Sequence, residues 1–397
     1  MNASEEKAAD AGKNAVLCNA AMREYPAETG ERPEAVSVLR MNERSIAKTI
    51  DIIIPSYRPG VRFQALLRML ERQTVLPRRV FVINTEQALW DGTEAANTVA
   101  DLNERETSAL FGRLVVKHIS REQFDHAATR AMGASWSEAD AFICMTDDAV
   151  PADTHLLEAL LCALYGKKAS RTEHEEKTIT GLSAHQAEDA APIPAMAYAR
   201  QLPSADCSEL ERFTREFNYP AEPMTKTKAD LPRLGIKTYF ASNVCCAYDR
   251  AIYRKLGGFC RTAIFNEDMI YAAAAIQAGY AVVYAADAAV VHSHNYSPMQ
   301  QLHRNFDLGM SQAMHPEVFA GILSEGEGLK LVKKTAAHLK QAGRGDLLLE
   351  LFVQSGCKYI GYRLGKWYRR LPKAAVHALC MNKSYVERMQ SGMQKAQ

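Results

Sequence analysis

The apolar and polar positions of this chain alternate between two periods from residue 49 onward. Residues 50–54 form a β-branched run that predicts a buried strand, and a turn follows at Pro55. The next segment places apolar side chains at the spacing of one helical face, at Phe63, Leu66, Leu67 and Leu70. A strand pattern at residues 79–84 closes this unit, and the order recurs as far as residues 141–145. The pattern predicts an α/β fold, with a mainly parallel sheet between helices.

The pattern weakens at the start of the chain and in one internal stretch. Residues 1–48 show little periodicity, and we predict a flexible tail there. Residues 166–237 are polar and punctuated by proline, which predicts a long loop-bearing excursion within the domain. From residue 297 onward the pattern is helical. We therefore predict an α/β domain at residues 49–315 and a helical C-terminal region at residues 316–397.

Composition restricts the class of protein. The 397 residues are 47% apolar and 24% charged with a formal net charge of +2, which is ordinary for a globular protein and argues against a nucleic-acid partner. The nine cysteines lie mostly in apolar runs, which indicates reduced core thiols. We find neither the apolar region of a signal peptide nor an apolar run of the roughly 18 to 20 residues that span a bilayer. We expect a cytoplasmic protein, either free or bound at the inner face of the membrane.

Acidic pairs follow one predicted strand and open one predicted helix. Asp147 and Asp148 come directly after the strand at 141–145, and adjacent carboxylates there suit a hard divalent cation. An exposed acidic turn is the alternative. Glu267 and Asp268 open a helix, where acids either stabilise the helix dipole or act as a general base toward a hydroxyl.

Other polar residues lie at the ends of predicted elements. His292 and His294 are two apart on an extended segment, so they point the same way and can ligate a cation or contact phosphate; core histidines are the alternative. Asp125 and Arg130 are either a helix cap and a surface ion-pair partner or one edge of a nucleotide pocket. Tyr57 either packs in the core or stacks on a base.

The order of these segments resembles the family-2 glycosyltransferases of the GT-A fold. It comprises a strand ending at Pro55-Ser56-Tyr57, a strand ending at Asn84-Thr85-Glu86, the segment 125–133, Asp147-Asp148, and Glu267-Asp268. Further stretches are similar to bacterial rhamnosyltransferases, at residues 199–203, 216–220, 242–244, 257–259, 265–268, 292–297 and 301–309. The similarity covers about residues 50–309.

The resemblance implies roles for individual residues. The nucleotide pocket would be lined by Pro55, Tyr57, Glu86 and Asp125. Asp148, with Asp147 beside it, would hold Mg²⁺ or Mn²⁺ on the donor diphosphate, and His292 or His294 would complete that site. Asp268, next to Glu267, would be the general base, and Arg304 would face the leaving diphosphate.

The resemblance also implies a reaction. It would be a metal-dependent, inverting transfer of a sugar, with rhamnose from dTDP-rhamnose as the expected donor. The acceptor would be a hydroxyl of a cell-surface polysaccharide precursor, either a free glycan or a lipid-linked one. The chain departs from many relatives at Glu86, where the corresponding loop carries an aspartate, and this leaves base recognition by that loop open.

Two other functions and one further contact stay open at this point. A non-catalytic sugar-nucleotide-binding protein that retained the GT-A fold is the alternative to the transferase. A nucleotidyltransferase would need a glycine-rich, basic loop after the first strand, and residues 55–60 are not such a loop. Residues 358–370 interleave cations with aromatic side chains, which predicts either contact with an anionic membrane or a basic helix packed on the domain.

Overall fold

The computed structural model describes residues 48–166, 192–320 and 325–395. The predicted tail at residues 1–48 therefore lies, apart from Lys48, outside the described residues. The strands are β1 (Ile50–Ser56), β2 (Val80–Thr85), β3 (Leu114–Ile119), β4 (Ala141–Met145), β5 (Val150–Pro151), β6 (Pro194–Leu202), β7 (Met224–Lys226), β8 (Cys245–Asp249) and β9 (Ala281–Val291).

The helices flank this sheet and continue beyond it at the C-terminal side. They are α1 (Val61–Glu71), α2 (Glu94–Glu104), α3 (His126–Trp136), α4 (Leu156–Tyr165), α5 (Glu209–Asn218), α6 (Leu231–Leu234), α7 (Arg250–Lys255), α8 (Glu267–Gln277), α9 (Pro298–Met314), α10 (Pro316–Phe319), α11 (Glu325–Gln341), α12 (Leu348–Lys366), α13 (Lys373–Leu379) and α14 (Lys383–Lys395). Among these described helices, none is both long enough and apolar enough to cross a bilayer.

The strands form one mixed sheet in the order β3-β2-β1-β4-β8-β6-β9-β5, with β7 also paired to β9. Strands β1 to β4 are parallel to their neighbours among themselves, as predicted, because helical crossovers connect them. The other half is more mixed than predicted. There β8 runs antiparallel to β4 and β6, and β5 and β7 run antiparallel to β9.

Both faces of the sheet are covered by helices. Alternate residues of β1 point to opposite layers: Ile52 and Ile54 pack with α1, α2 and α4, whereas Ile53 packs with α3 and α8. This alternation follows from the two-residue period of a strand. The helical face predicted from Phe63, Leu66, Leu67 and Leu70 is buried as expected.

The described part of the predicted excursion at residues 166–237 lies within the domain, as expected, but it is not a long loop. Residues 192–237 contain α5, α6, β7 and β6, a strand between β8 and β9 inside the sheet. The prolines punctuate these elements without interrupting them: Pro194 begins β6 and Pro203 follows its last residue. Residues 167–191 lie outside the described part of the chain.

The helical C-terminal region packs on the rest of the protein through glycines. A Cβ atom at Gly309 of α9 would meet the backbone of Tyr362, and one at Gly361 or Gly365 of α12 would meet the backbone of α9. Helices α9 and α12 therefore lie backbone against backbone along one side of α12.

We expect Gly365→Ala to destabilise the protein by about 1 to 3 kcal/mol, because the new methyl group forces α12 away from the backbone of Phe306. The matched control is Gly356→Ala on the same helix, where an added Cβ meets no atom within 4 Å. There the better helix propensity of alanine is expected to leave stability unchanged or slightly higher. Thermal unfolding of both variants checks this, and equal midpoints would contradict it.

Candidate active site

The carboxyl ends of β1 and β4 meet at Asp147. Its Oδ2 atom accepts a hydrogen bond from the Ser56 hydroxyl at 2.8 Å and one from the backbone N–H of Tyr57 at 3.3 Å. Burial raises the pKa of Asp147 to about 6, and the neighbouring Asp148 carboxylate adds to the shift. Asp147 thus connects the loop after β4 to the end of β1. The carboxylate of Asp148 instead faces His292 and His294.

Asp148 forms a compact cluster with both predicted histidines. The Nε2 atom of His292 lies 3.4 Å from Asp148 Oδ1, and that of His294 lies 3.2 Å from Asp148 Oδ2. The two Nε2 atoms are 3.1 Å apart, and the ligand atoms of the three residues all lie within 4.8 Å of one another. One carboxylate and two imidazoles are a donor set that fits a divalent cation. Without a cation, hydrogen bonds alone would hold these three residues together. One of the two Nε2 atoms would then have to carry a proton and donate it to the other.

A second layer of polar residues orients His292. Burial lowers the pKa of His292 to about 3, so its ring is neutral and carries one proton. Its Nδ1 atom lies 3.2 Å from the side-chain oxygen of Gln201, and that oxygen also accepts from Arg215. Because the amide oxygen can only accept, Nδ1 carries the proton and the Nε2 lone pair faces Asp148. The amide nitrogen of Gln201 is itself held by Tyr219 at 2.7 Å and Ser242 at 2.9 Å.

We expect Gln201→Leu to weaken Mn²⁺ binding by about 10- to 100-fold, because His292 loses the acceptor that fixes its tautomer. Calorimetric titration of the purified protein with Mn²⁺ measures the change. The matched control is Ser242→Ala, which removes a partner of the same amide but leaves the oxygen that faces His292. Equal Mn²⁺ affinity in wild type and Gln201→Leu would refute the orienting role.

The acidic pair at the start of α8 has two different environments. Glu267 is buried and forms an ion pair with Arg130, with Oε1 and Nη1 3.0 Å apart. Burial opposes its ionisation, but Arg130 holds the pKa of Glu267 below its usual value. Asp268 stays partly exposed, and burial together with the Glu267 charge raises its pKa to about 7. Arg130, predicted at a nucleotide pocket or a surface, therefore lies in the interior.

Asn243 connects both acids to the sheet. Its backbone N–H donates to Asp268 at 2.8 Å, its side-chain amide donates to Glu267 at 2.9 Å, and its side-chain oxygen accepts from Tyr248 at 2.7 Å. The Asp268 carboxylate is therefore fixed by a residue next to Ser242, which in turn holds Gln201 behind the histidines. Asp268 and the Asp148 cluster belong to one connected site.

Arg304 of α9 lies between these two parts of the site. Its guanidinium is 4.8 Å from the ring centroid of Phe265, which precedes the acidic pair, and 5.5 Å from that of Tyr296, which follows the histidines. Its charge contributes to the lowered pKa values of His292 and His294, after the larger effect of burial. Stacking on two aromatic rings holds a positive charge beside the cluster.

A separate polar group lies at the ends of β1, β2 and β3. The Nη2 atom of Arg121 donates to the Tyr57 hydroxyl and to the Glu86 carboxylate, both at 2.7 Å. Tyr57 is 41% exposed, so the core-packing alternative is wrong. The guanidinium groups of Arg58 and Arg121 lie 5.3 and 5.4 Å from the centroid of its ring. Pro55 lies in β1 beyond Ile53, where the pairing of β1 with β4 ends.

Asp125 has the geometry of the helix-cap alternative. Its Oδ1 atom accepts from the backbone N–H groups of Ala127 and Ala128 at 2.9 Å and of Ala263 at 3.2 Å. Burial raises the pKa of Asp125. Its other oxygen is buried without a hydrogen-bond partner in the part of the chain that the structure describes.

No family model matches the chain. The O-antigen chain rhamnosyltransferase RfbN of Salmonella typhimurium is 32% identical over 350 residues, which cover 87% of this chain and 98% of that protein. The chain belongs to this rhamnosyltransferase family. It is therefore a glycosyltransferase. The O-antigen chain rhamnosyltransferase WbaN of Salmonella anatum is also 32% identical, over 349 residues that cover 87% of this chain and 98% of that protein.

Solved structures of glycosyltransferases are also similar to this family member. The mannosyltransferase PcManGT from Pyrobaculum calidifontis, in complex with GDP-Man and Mn²⁺, has a TM-score of 0.48 and 15% identity, with 91% of this chain and 97% of that chain covered. TarS 1–349 of S. aureus has a TM-score of 0.42 and 13% identity, with coverage of 88% and 92%.

In this rhamnosyltransferase family member the predicted site residues fall into three groups. Asp148 joins His292 and His294, Glu267 and Asp268 join Asn243, and Tyr57 joins Glu86. Asp147 links the first group to the last. Sequence reasoning missed Arg121, Gln201 and Asn243, although the last two lie inside stretches that resemble rhamnosyltransferases and Arg121 follows the end of β3.

Proposed function

We propose that the protein is a metal-dependent, inverting glycosyltransferase that moves rhamnose from dTDP-rhamnose onto a hydroxyl of a cell-surface polysaccharide precursor. The names of the two similar Salmonella proteins support the sugar and the pathway class. The proposal depends most on one observation, the connected placement of a partly exposed carboxylate of raised pKa and a three-residue cation site. A protein that only binds a sugar nucleotide has no need of such a carboxylate.

Asp148, His292 and His294 would hold the cation, and the two imidazoles favour Mn²⁺ over Mg²⁺, which prefers oxygen ligands. A bound divalent cation would offset the charge that develops on a leaving diphosphate. Arg304, stacked between Phe265 and Tyr296, would add a second positive charge there.

Asp268 would act as the general base in a single displacement. Its carboxylate takes the proton of the acceptor hydroxyl while that oxygen forms a bond to the anomeric carbon of the donor. The bond between that carbon and the diphosphate oxygen breaks, and the electron pair leaves with the nucleoside diphosphate. Attack from the face opposite the leaving group inverts the anomeric configuration. Asn243 and Met269 hold the Asp268 carboxylate in place through their backbone N–H groups, both at 2.8 Å.

The other proposed contacts lie around the donor and at the C-terminal region. Tyr57 would stack on the base of the nucleotide, with Glu86 and Arg121 beside it. We also propose that Asp125 lines this pocket, that the acceptor is lipid-linked, and that residues 358–370 contact the membrane peripherally. Arg130, through its ion pair, would position Glu267 and hence α8.

We expect kcat/KM for transfer to rise with pH through about 7, because Asp268 must be ionised to accept a proton. Below that pH, the logarithm of kcat/KM should rise by one for each pH unit, because a single group loses its proton. In Glu267→Gln the like charge next to Asp268 is removed, so the rising limb should move to lower pH. A profile of kcat/KM over this range tests both statements, and a limb that does not move in the variant would contradict the assignment of Asp268.

The experiment that tests the function is release of nucleoside diphosphate by the purified protein. dTDP-rhamnose is compared with UDP-glucose, UDP-galactose and GDP-mannose, each with Mn²⁺, Mg²⁺ or EDTA. We expect release from dTDP-rhamnose and from none of the other three donors, and we expect EDTA to abolish it. Binding of dTDP-rhamnose without any release, even with membrane extract as the source of acceptor, would favour the non-catalytic alternative. Release from a different donor would correct the sugar.

A further inference from the structure

A buried lysine of β7, Lys226, is held by oxygen atoms and aromatic rings. It is 2% exposed. Its Nζ atom donates to the Tyr198 hydroxyl at 3.2 Å and to the backbone carbonyls of Lys237, at 3.3 Å, and Phe240. The same atom lies 4.7 Å from the ring centroid of Tyr198 and 5.9 Å from that of Phe240. Burial of a charged group is costly unless it is hydrogen-bonded, and here three acceptors match the three N–H groups of an ammonium.

These contacts do not depend on the charge of Lys226. Burial lowers its pKa to about 7. A neutral amine keeps two N–H groups, which serve both carbonyls, and its lone pair accepts a hydrogen bond from the Tyr198 hydroxyl. Lys226 therefore holds the same stretch of backbone on either side of that pH.

The two carbonyls belong to a short stretch, residues 237–243, which we call the bracing segment. They lie in and just after the 3₁₀ turn Gly235–Thr238, where carbonyl groups lack helical partners and a cation is a favourable neighbour. The segment continues through the buried Ala241 and leads into β8. Lys226 thus fixes the first half of the bracing segment to β7, and β8 holds the chain that follows it.

The bracing segment contacts both ends of α8, the helix that begins with the acidic pair. At the first turn, the backbone N–H of Asn243 donates to Asp268 and its side-chain amide donates to Glu267. At the last residue, the side-chain amide of Gln277 donates to the Tyr239 hydroxyl at 2.7 Å. These two ends are about 15 Å apart along the helix axis. A segment that holds α8 at two such distant points sets both the position and the direction of the helix.

We propose that Lys226 is a positioning residue for Asp268, acting through the bracing segment. Because it is buried, it contacts neither the donor nor the acceptor. Its three contacts keep the Asn243 N–H in line with the Asp268 carboxylate and keep α8 in its direction. The role of Asp268 as the base rests on the proposed function, whereas the bracing itself is measured without turnover.

Hydrogen exchange of the full-length protein tests the bracing. In Lys226→Met the two carbonyls lose their donor, so amide exchange across residues 238–245 should become about tenfold faster or more. Tyr198→Phe removes one of the three contacts and keeps the ring, so it should give a smaller change in the same direction. The matched control is Lys255→Met, which replaces an exposed lysine bonded to the Tyr280 hydroxyl at 2.9 Å and should leave this exchange unchanged.

The pH profile of transfer tests whether the bracing reaches the base. In Lys226→Met, kcat should fall by about 100-fold, as expected for a small misplacement of a catalytic group, while the KM for the donor stays close to that of wild type. Burial and Glu267 raise the pKa of Asp268, and the Asn243 N–H lowers it. When that N–H moves away, the pKa of Asp268 rises further. The rising limb of kcat/KM should therefore move to higher pH, opposite to the shift in Glu267→Gln. Partial unfolding alone would lower kcat at every pH and leave the limb in place.

Three outcomes would overturn the proposal. Equal exchange over residues 238–245 in wild type and Lys226→Met would reject the bracing. Faster exchange along the whole chain, with a lower thermal midpoint, would make Lys226 a residue of general stability. Faster exchange in the bracing segment with kcat and the limb unchanged would reject the link to Asp268. If wild type transfers no sugar at all, the proposed function fails, while the exchange experiment still decides the bracing.

Discussion

Asp268→Asn is expected to reduce sugar transfer by about 10²- to 10⁴-fold, the range that loss of a general base produces. Asparagine has the same shape, and its side-chain oxygen can still accept from the backbone N–H groups of Asn243 and Met269. It cannot take up the proton of the acceptor hydroxyl. The fold should be unaffected, because burial already raises the pKa of Asp268 to about 7 and a neutral amide suits such a position.

The variant should also retain donor and metal binding, so that only the transfer step is lost. Turnover with an acceptor-containing membrane extract measures transfer, and calorimetry measures binding of dTDP-rhamnose with Mn²⁺. Asp287→Asn is the matched control, since Asp287 is an exposed carboxylate on β9. Transfer at nearly the wild-type rate in Asp268→Asn would leave the site without its base and would remove Asp268 from the mechanism.

The parts of the site that could be predicted are those that follow single elements. Asp147 and Asp148 come directly after a five-residue buried strand, and the two histidines directly after β9, so the strand pattern alone placed them at strand ends. Periodicity likewise gave the buried face of α1. It could not give the antiparallel strand β8, whose direction depends on a connection through the proline-rich stretch.

The residues that sequence reasoning missed act through partners far along the chain. Gln201 contacts His292 and Asn243 contacts Glu267, and no local period encodes either contact. Arg130 carried a usable signal. It lies at helical spacing from Ala127 and Ala134 on the buried face of α3, so burial with an acidic partner could have been predicted.

Helix α12 shows a limit of hydrophobic periodicity. Its apolar positions Leu349, Phe352 and Ile360 lie on one side, and their helical spacing predicts that this side is buried against the protein. The structure instead turns Gly361 and Gly365 toward α9, because only residues without a side chain allow the two backbones to approach this closely. The apolar face is therefore left exposed, and the glycine spacing, more than the apolar spacing, predicts which side of this helix packs.

Removal of the cation is expected to have an effect as large as loss of the base. In His292→Ala the cluster keeps Asp148 and His294 but loses a buried imidazole whose lone pair is held in place by Gln201. Mn²⁺ affinity should fall at least 100-fold, since loss of a ligand should exceed the 10- to 100-fold effect of losing an outer-shell partner. Nucleoside diphosphate release should fall with it, because the charge of the leaving diphosphate is no longer offset.

EDTA should have the same effect on the wild type, and Mn²⁺ should restore activity better than Mg²⁺ because two of the three donors are imidazoles. His155→Ala is the matched control, since His155 has a 62% exposed side chain and lies outside the cluster. Metal titration by calorimetry and diphosphate release are measured on the same preparations. If His292→Ala and EDTA both left release unchanged, the three residues would be a hydrogen-bonded trio, and charge on the leaving diphosphate would have to be met by Arg304 instead.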